Sequence, residues 1–494
     1  MSTLTSNALA VLQPSFAGTE PPAWVLRLLG EGLTGVGLFG RNVQNPEQVA
    51  RLTETLRAER PEVLVAMDEE GGDVTRLEVR QGSSFPGNLA LGAVDDPELT
   101  LRVARELGRR LAACGVNMNW APSADVNSNP DNPVIGVRSF GAEPELVARH
   151  TAAYIRGLHE AGVVGCTKHF PGHGDTATDS HHAMPRIDLS LEALRERELV
   201  PFKAAIAAGT KVVMSAHILL PALDEELPAT LSPAVLSGLL RRPVADGGLG
   251  FDGVVSTDAM EMQAIAGTHG MQRGAVLAIA AGADALCIGH NADDDLVCGL
   301  RDALVAAVRA GELSEERLAD AAARVRALAE WTRTSAAAGP VAPDEEIGLA
   351  AARRAVRVTG GEDYVPPSGP VYVASFTPVA NMAAGEATPW GVGPELQRLL
   401  PGTRTGSYGP ESGLAEATTD AGDLPLVAVV KDVHRHGWMA AALKALLADR
   451  PDAAVVEMGV PQAPPAGALH IATHGAARVC GRAAAEVITG ATTG

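Results

Sequence analysis

The chain has 494 residues, a formal net charge of −19 and 46% apolar residues. This length exceeds that of one ordinary domain, so we expect two or three domains, each with apolar residues enough for a core. The acidic charge argues against nucleic acid or an anionic membrane surface as a partner, because both favour a basic protein face.

Three features that the sequence lacks predict the cellular location of the protein. The five cysteines are widely spaced and form no C-x-x-C pair, which fits reduced thiols and argues against a structural zinc site. The first residues lack the basic start and long apolar core of a signal peptide. No apolar run reaches the length of about 18 residues that a transmembrane helix needs. We therefore expect a cytoplasmic protein.

Short apolar runs alternate with longer helical patterns over the first two thirds of the chain. They predict eight strands, near residues 7–13, 35–39, 63–67, 115–120, 163–167, 212–216, 253–256 and 284–288. Eight strand-then-helix units predict an α/β fold of the TIM-like (β/α)8 barrel type. An open, doubly wound sheet is the alternative.

Polar residues gather directly after these predicted strands. They are Asn42, Asp68, Asp125, Lys168, His169, His217, Asp258 and His290. In a barrel, the carboxyl ends of all strands form one rim, where active sites are built. In an open sheet the same residues would divide across a crevice. We favour the barrel and expect the site on this rim.

The last third of the chain predicts a second, smaller domain. Residues 314–331 predict a serine-capped helix with one buried face, which closes the catalytic domain at 1–335. A proline-rich stretch of small residues predicts a linker at 336–346. Over 347–494, four strand-like runs alternate with helical stretches and predict a sandwich-type α/β domain with a mostly parallel sheet: GPVYVASF, PLVAVVKD, AAVVEMGV and ALHIATHG.

Asp258 is a candidate for chemistry because it follows a buried strand, in the run GVVSTDAMEM. A carboxylate at such a position is poorly solvated unless something uses it. One hypothesis makes it a cap for the following helix. The other makes it a nucleophile at the barrel rim.

The stretch KHFPGHGDTATDSHH, residues 168–182, is the most unusual part of the chain. Asp179 and His181 are two residues apart, so in an extended loop their side chains point the same way. Asp179 can then accept a hydrogen bond from one ring nitrogen of His181, which leaves the other nitrogen as a directed acid or base. The alternative is a surface loop that is merely polar.

The histidines of this stretch raise the possibility of a metal site. A zinc or iron site would draw on four residues, His173, Asp175, His181 and His182. All four lie in one loop, whereas metal sites are usually built from separate strands or helices. We therefore expect no metal and no other cofactor.

A further group of residues has the chemistry to bind a sugar. Lys168 and His169 end a predicted strand, Asp68 follows another, and Arg138 lies in NPVIGVRSFG. Lysine, histidine and arginine donate hydrogen bonds to hydroxyl groups, and aspartate accepts them. For Asp68 and Arg138 the alternative is an ion pair within the protein, and for Lys168 it is a snorkelling or salt-bridged side chain.

Four stretches together resemble family 3 of the glycoside hydrolases. They are DEEGG (68–72), NPVIGVRSFG (132–141), KHFPGHGDTATDSH (168–181) and GVVSTDAMEM (253–262). Within the family, the chain is similar to the β-N-acetylglucosaminidase branch, typified by the peptidoglycan-recycling enzyme. The resemblance covers the predicted barrel. The C-terminal part looks like the second domain of longer members but carries no comparable motif.

This resemblance implies a retaining double displacement with a sugar substrate, terminal β-linked N-acetylglucosamine of muropeptide or chitin-type oligosaccharides. Asp258 matches the nucleophile, His181 the acid/base and Asp179 its partner. The residues that match the first sugar subsite are Asp68, Arg76, Arg138, Lys168 and His169.

Two departures from the family pattern leave the sugar preference open. Asp73 stands where many relatives have Arg, and Val137 where relatives often have a polar residue. Two other activities also stay open, a phosphorylase with phosphate as acceptor and a non-catalytic sugar-binding protein. A histidine acid/base lacks the negative charge that would repel phosphate, so the sequence does not separate the phosphorylase from the hydrolase. The oligomeric state and the aglycone side of the substrate are not predicted.

Overall fold

The computed structural model describes residues 2–177, 184–335, 342–378, 385, 388–413 and 415–491. The chain divides into two compact units. The first comprises Met1–Glu70, Thr100–Ile135 and Ala142–Asp344, and the second comprises Gly71–Leu99, Gly136–Gly141 and Glu345–Gly494. Two segments from the early part of the chain thus belong to the same unit as its C-terminal part.

The first unit is built on eight parallel strands. They are β1 Leu12–Ser15, β2 Gly35–Leu38, β3 Leu64–Met67, β4 Met118–Asn119, β5 Val164–Phe170, β6 Val212–Ser215, β7 Val254–Thr257 and β8 Leu286–Asn291. Neighbours in sequence are neighbours in the sheet from β1 to β7, and β8 pairs with β1. A parallel bridge between Ser256 and Ala285 links β7 to the start of β8. The sheet therefore closes into the predicted barrel.

Helices follow the strands along the chain. They are α1 Thr3–Ala10, α2 Ala23–Glu31, α3 Pro46–Glu59, α4 Asn88–Val94 (in the second unit), α5 Pro97–Ala113, α6 Pro144–Glu160, α7 Leu191–Glu196, α8 Leu199–Ala207, α9 Gln263–Ala266, α10 Met271–Ala281, α11 Asp294–Ala310 and α12 Glu315–Ser335. A π-helix, Ala234–Arg241, stands between β6 and β7. Among the described residues, no helix is both long enough and apolar enough to cross a membrane.

The strand predicted at residues 7–13 was placed too early in the chain. Helix α1 takes up most of that range, and the strand begins only at Leu12. Ser2 starts the helix, because its Oγ accepts a hydrogen bond from the backbone N–H of Thr5 at 3.2 Å. Residues 7–10 are all buried. A short buried apolar run does not distinguish a strand from a helix.

The interior of the barrel explains the apolar runs in the sequence. Alternate strand residues share one buried cluster with three residues of α12: Leu64, Ala66, Met118, Trp120, Val164, Cys166, Val212, Met214, Val325, Leu328 and Ala329. The prediction for α12 is confirmed, since Ser314 Oγ accepts the N–H of Arg317 at 3.3 Å and the predicted apolar face is buried. Barrel strands are covered on both faces, and so they are apolar along their length.

The second unit contains a six-stranded sheet in the order β11-β10-β12-β13-β14-β9. Its strands are β9 Arg357–Gly360, β10 Tyr372–Phe376, β11 Arg404–Tyr408, β12 Leu426–Val430, β13 Ala454–Glu457 and β14 Leu469–Ala472. Every pair is parallel except β14 with β9. The helices are α13 Ile347–Ala355, α14 Gly393–Leu399, α15 Glu416–Ala421, α16 Gly437–Asp449 and α17 Arg478–Thr489.

The mostly parallel α/β prediction for this part of the chain is confirmed. Alternate residues of the central strands enter two separate apolar clusters, as Val427 and Val429 do on one face and Ala428 and Val430 on the other. Strands β9 and β11 were missed. They are the edges of the sheet, and all four residues of β9 are exposed. Of the predicted linker, residues 336–341 lie outside the described residues.

Candidate active site

Four predicted site residues of the first unit lie at the carboxyl ends of its strands. Asp68 directly follows β3, Lys168 and His169 fall within the last three residues of β5, and Asp258 directly follows β7. Since all eight strands are parallel, these ends form one rim. Four of the eight predicted site residues therefore share this end of the barrel.

Lys168 is held between two carboxylates. Its side chain is 3% exposed, and its Nζ lies 2.6 Å from Asp68 Oδ1 and 2.7 Å from Glu70 Oε1. The ion pair that the sequence offered as an alternative is thus present. Asp68 still exposes 18% of its side chain, so pairing with Lys168 does not remove it from contact with a ligand. Sequence reasoning missed Glu70, although i and i+2 residues of an extended chain share a side.

His169 is oriented by a buried carboxylate. Its Nδ1 lies 2.7 Å from Asp125 Oδ2, and Asp125 has no exposed surface. Asp125 also accepts the Ser123 hydroxyl at 2.8 Å and the backbone N–H groups of His169 and His173 at 3.2 and 2.7 Å. Burial opposes the charge of Asp125, but His169, His173 and Ser123 together hold its pKa below the usual range.

Because Asp125 is ionised, it can only accept hydrogen bonds. The Nδ1 atom of His169 therefore carries a proton, and the tautomer and direction of the ring are fixed. The sequence placed Asp125 on the rim but gave it no role. A peptide bond in the cis form joins His169 to Lys168.

Asp258 is half-buried at the end of β7. Its backbone N–H donates to the carbonyl of Ser215 at 3.0 Å, and its Oδ1 accepts the N–H of Ala259 at 2.8 Å. The hypothesis of a helix cap is wrong, because α9 begins at Gln263 and Met262 occupies its N-cap position. The carboxylate is therefore not committed to starting a helix.

Cys166 is buried in the barrel interior, and three charged residues of the rim affect its pKa. Burial raises the pKa of this thiol well above its usual value. The nearby negative charges of Asp68 and Asp258 add to the rise, and Lys168 opposes it. Asp68, after β3, and Asp258, after β7, thus both lie near enough to this thiol to affect its pKa.

The part of the candidate metal site that the structure describes has other partners. His173 is buried, with Nδ1 2.7 Å from Thr176 Oγ1, and burial followed by the charge of His169 lowers its pKa to about 4. Asp175 pairs with Arg197 at 2.9 Å. His181 and His182 lie outside the described residues, as does Asp179. Among the residues described, no three His, Cys, Asp or Glu side chains form a group that could hold a metal ion.

Two predicted sugar-binding residues, Arg76 and Arg138, belong to the second unit. Arg138 is buried and ends a short 3-10 turn, Gly136–Arg138, and its carbonyl accepts the side-chain amide of Asn88 at 2.6 Å. Arg76 is half-buried. Hence the structure gathers Asp68, Lys168, His169 and Asp258 in the first unit and places both arginines in the second.

Comparison with known sequences gives a family match over most of the first unit. Residues 23–328 match the profile of the Glycosyl hydrolase family 3 N terminal domain. Beta-hexosaminidase A of Pseudoalteromonas piscicida is 34% identical over 339 residues, which cover 63% of this chain and 55% of that protein. The chain thus matches about half the length of this relative. The Beta-hexosaminidase of Chromobacterium violaceum is 36% identical over 332 residues, 65% of this chain and 86% of that protein.

Two solved structures extend the comparison. A glycoside hydrolase family 3 beta-N-acetylglucosaminidase from Paenibacillus sp. str. FPU-7 is 36% identical, with a TM-score of 0.88 over 100% of this chain and 98% of that one. The Beta-N-acetylhexosaminidase from Beutenbergia cavernae DSM 12333 is 29% identical, with a TM-score of 0.59 over 67% of this chain and 99% of that one. The Paenibacillus structure therefore matches both the barrel and the C-terminal sheet.

Proposed function

Because the chain belongs to glycoside hydrolase family 3, we propose that it is a retaining, exo-acting β-N-acetylglucosaminidase. Its substrates are muropeptide or chitin-type oligosaccharides that end in β-linked N-acetylglucosamine. It acts in peptidoglycan recycling, in the cytoplasm. The names of the relatives support this activity. The observation that carries the proposal is a half-buried carboxylate, Asp258, on the same barrel rim as the Asp68–Lys168 pair.

In the first chemical step, Asp258 attacks the anomeric carbon of the sugar. The glycosidic bond breaks as His181 donates a proton to the leaving oxygen, and a covalent glycosyl-enzyme results. Asp179 accepts a hydrogen bond from His181 and stabilises its charged form. The roles of His181 and Asp179 rest on the family resemblance, because both lie outside the described residues.

In the second step, His181 removes a proton from water, which attacks the same carbon and releases N-acetylglucosamine with retained configuration. A histidine can serve as acid and then as base near neutral pH, because the usual pKa of imidazole is about 6.5. A neutral base also tolerates anionic acceptors better than a carboxylate does.

The sugar is held by the polar groups of the rim. Asp68 accepts hydrogen bonds from hydroxyl groups, Lys168 donates to them, and His169 presents its Nε2 atom to them as an acceptor. Asp125 and Glu70 keep these groups in place, through the contacts of 2.7 Å to His169 and to Lys168. The sugar-binding roles of Arg76 and Arg138 rest on the family resemblance alone.

Turnover of an aryl β-N-acetylglucosaminide, with and without inorganic phosphate, tests this function. We expect free N-acetylglucosamine in both cases, released first as the β-anomer in an NMR time course. A sugar 1-phosphate in the presence of phosphate would identify a phosphorylase instead. Binding of N-acetylglucosamine without turnover of any β-N-acetylglucosaminide would identify a sugar-binding protein.

A further inference from the structure

Lys431 is one of the five lysines of the chain and directly follows β12 in the second unit. Its Nζ binds Asp73 Oδ2, and the side chain of Asp73 is 6% exposed. The other carboxylate oxygen of Asp73 accepts the backbone N–H of Ala476 at 2.8 Å. Two loops at the carboxyl end of the C-terminal sheet, after β12 and after β14, therefore hold both oxygens of one aspartate.

This ion pair is charged. Burial alone would lower the pKa of Lys431, but the charge and hydrogen bond of Asp73 outweigh it, and Asp432 and Glu457 act in the same direction, so the pKa is raised. The ammonium also lies 5.8 Å from the ring centroid of Trp390. Loss of Lys431 would remove the cation from the buried carboxylate of Asp73, which, among the described residues, would keep the backbone N–H of Ala476 as its donor.

Asp73 lies in a tight run of turns that leads to Arg76. Gly71 and Gly72 have φ of 79° and 64°, and the N–H of Gly72 donates to the carbonyl of Phe85 at 2.9 Å. A Cβ atom on Gly72 would lie 2.5 Å from the Cα of Gly87. Only two residues separate Asp73 from Arg76, so we expect a displacement of Asp73 to shift Arg76 as well.

The far end of the same run is also held by the C-terminal part of the chain. Arg478, the first residue of α17, donates from Nε to the carbonyl of Gly82 at 3.3 Å, and its Nη2 lies 3.6 Å from Glu78 Oε1. Glu78 in turn accepts the N–H of Ser84 at 2.7 Å. Residues 71–84, which contain Arg76, are therefore fixed at both ends within the second unit.

We propose that Lys431 is a positioning residue for substrate binding, which acts through Asp73 to set the place of Arg76. This inference rests on the proposed function, which assigns Arg76 to the sugar. It makes the C-terminal sheet a part of substrate binding without direct contact to the sugar. It also gives Asp73, which departs from the family pattern, a partner 358 residues away.

Steady-state kinetics of the full chain with an aryl β-N-acetylglucosaminide test the proposal. We expect Lys431→Met to raise KM about tenfold and to change kcat less than about threefold. The variant loses the positioning of Arg76 for substrate binding, whereas the groups that react with the substrate are unchanged. Lys431→Arg keeps the positive charge, and its KM should be close to the wild-type value. The exposed Lys444→Met on α16 is the matched control and should behave as the wild type.

The variant pair Asp73→Asn and Lys431→Met separates positioning from general destabilisation. Because a neutral asparagine in place of Asp73 needs no counter-ion, the double variant should bind substrate better than the product of the two single effects predicts. Thermal unfolding above the assay temperature confirms that each variant is folded. A folded Lys431→Met with wild-type KM, or one that loses kcat and kcat/KM equally, overturns the proposal.

The same set distinguishes this proposal from the proposed function. A wild type without turnover overturns the hydrolase, and calorimetric binding of N-acetylglucosamine then decides the role of Lys431. Weaker binding by Lys431→Met supports the positioning role, and equal binding overturns it. A wild type that neither turns over nor binds the sugar overturns both.

Discussion

The Nδ1 atom of His169 lies 2.7 Å from a carboxylate oxygen of Asp125, which is completely buried. The same carboxylate accepts the backbone N–H of His173, in the loop that follows β5. One charged group thus fixes both a ring at the rim and the start of the stretch that leads to His181. The site depends on this buried carboxylate as much as on the residues that we assign to the sugar.

Asp125→Asn should therefore reduce both stability and substrate binding. An asparagine amide cannot accept all four hydrogen bonds, so we expect a loss of about 3 kcal/mol in the free energy of unfolding. KM should rise because the ring of His169 loses its fixed direction. Urea denaturation and steady-state kinetics measure the two effects, with Ser123→Ala, which removes one donor only, as the control. Wild-type stability and KM would show that Asp125 is not an anchor.

The pH dependence of stability gives a separate check on Asp125. Its pKa lies below the ordinary value in the folded protein, so the unfolded chain binds its proton more readily. The charged Asp125 therefore stabilises the fold fully above about pH 5. This stabilisation is lost as pH falls below the ordinary aspartate pKa of about 3.9. The difference in free energy of unfolding between wild type and Asp125→Asn should shrink over that range. A difference that stays constant from pH 6 to pH 3 would contradict the charged state assigned here.

Lys168→Met should disturb the rim by removing the cation that the carboxylates of Asp68 and Glu70 share. Since the Lys168 side chain is 3% exposed, we expect a loss of about 3 kcal/mol in the free energy of unfolding. Glu70→Gln is the comparison, because it keeps the contact between Lys168 and Asp68. The double variant should recover part of the stability that Lys168→Met loses, and additive losses would show that the three groups are not coupled.

Glu198, at the start of α8, should make the barrel less stable at high pH. It is fully buried, and burial raises its pKa to about 7 although Arg197 Nε donates to it at 2.7 Å; the charges of Asp125 and Asp175 add to the rise. The folded pKa lies above the unfolded value of about 4.3, so the folded state is favoured at low pH and loses stability as pH rises through 7.

Glu198→Gln removes this dependence. Relative to the wild type, the variant should be about 2 kcal/mol more stable at pH 8 than at pH 5, as a higher free energy of unfolding. Denaturant unfolding at the two pH values measures the change, and Glu196→Gln, on the neighbouring helix α7, is the control. An equal effect of Glu198→Gln at both pH values would mean that Glu198 is ionised throughout.

Much of the fold follows from local sequence patterns. All eight predicted barrel strands overlap observed strands, because a strand buried on both faces is apolar along its length. The range 7–13 does so only at residues 12 and 13. The strand at residues 7–13 was predicted too early because the helix cap, Ser2, lies outside the apolar run that suggested a strand. Strands β9 and β11 were not predicted, because edge strands expose their side chains and lack the apolar pattern of a buried strand.

The position of a residue on the rim was predictable where it follows a strand, as Asp68 and Asp258 do, or lies near the end of one, as Lys168 does. The groups that hold these residues were harder to predict, because Glu70 and Asp125 act through contacts across the barrel. Asp73 illustrates the limit. From the sequence it was a departure beside the sugar site, and its ion pair with Lys431, 358 residues away, depends on tertiary structure that no local pattern contains.

The central claim is that Asp258 is the nucleophile, and trapping the covalent intermediate tests it most directly. A 5-fluoro glycosyl fluoride of N-acetylglucosamine should form a slowly hydrolysed adduct, which peptide mass spectrometry would locate on Asp258. Asp258→Asn should give no adduct and should lose at least about 10³-fold in kcat. An adduct on another residue, or wild-type turnover by Asp258→Asn, would contradict the account.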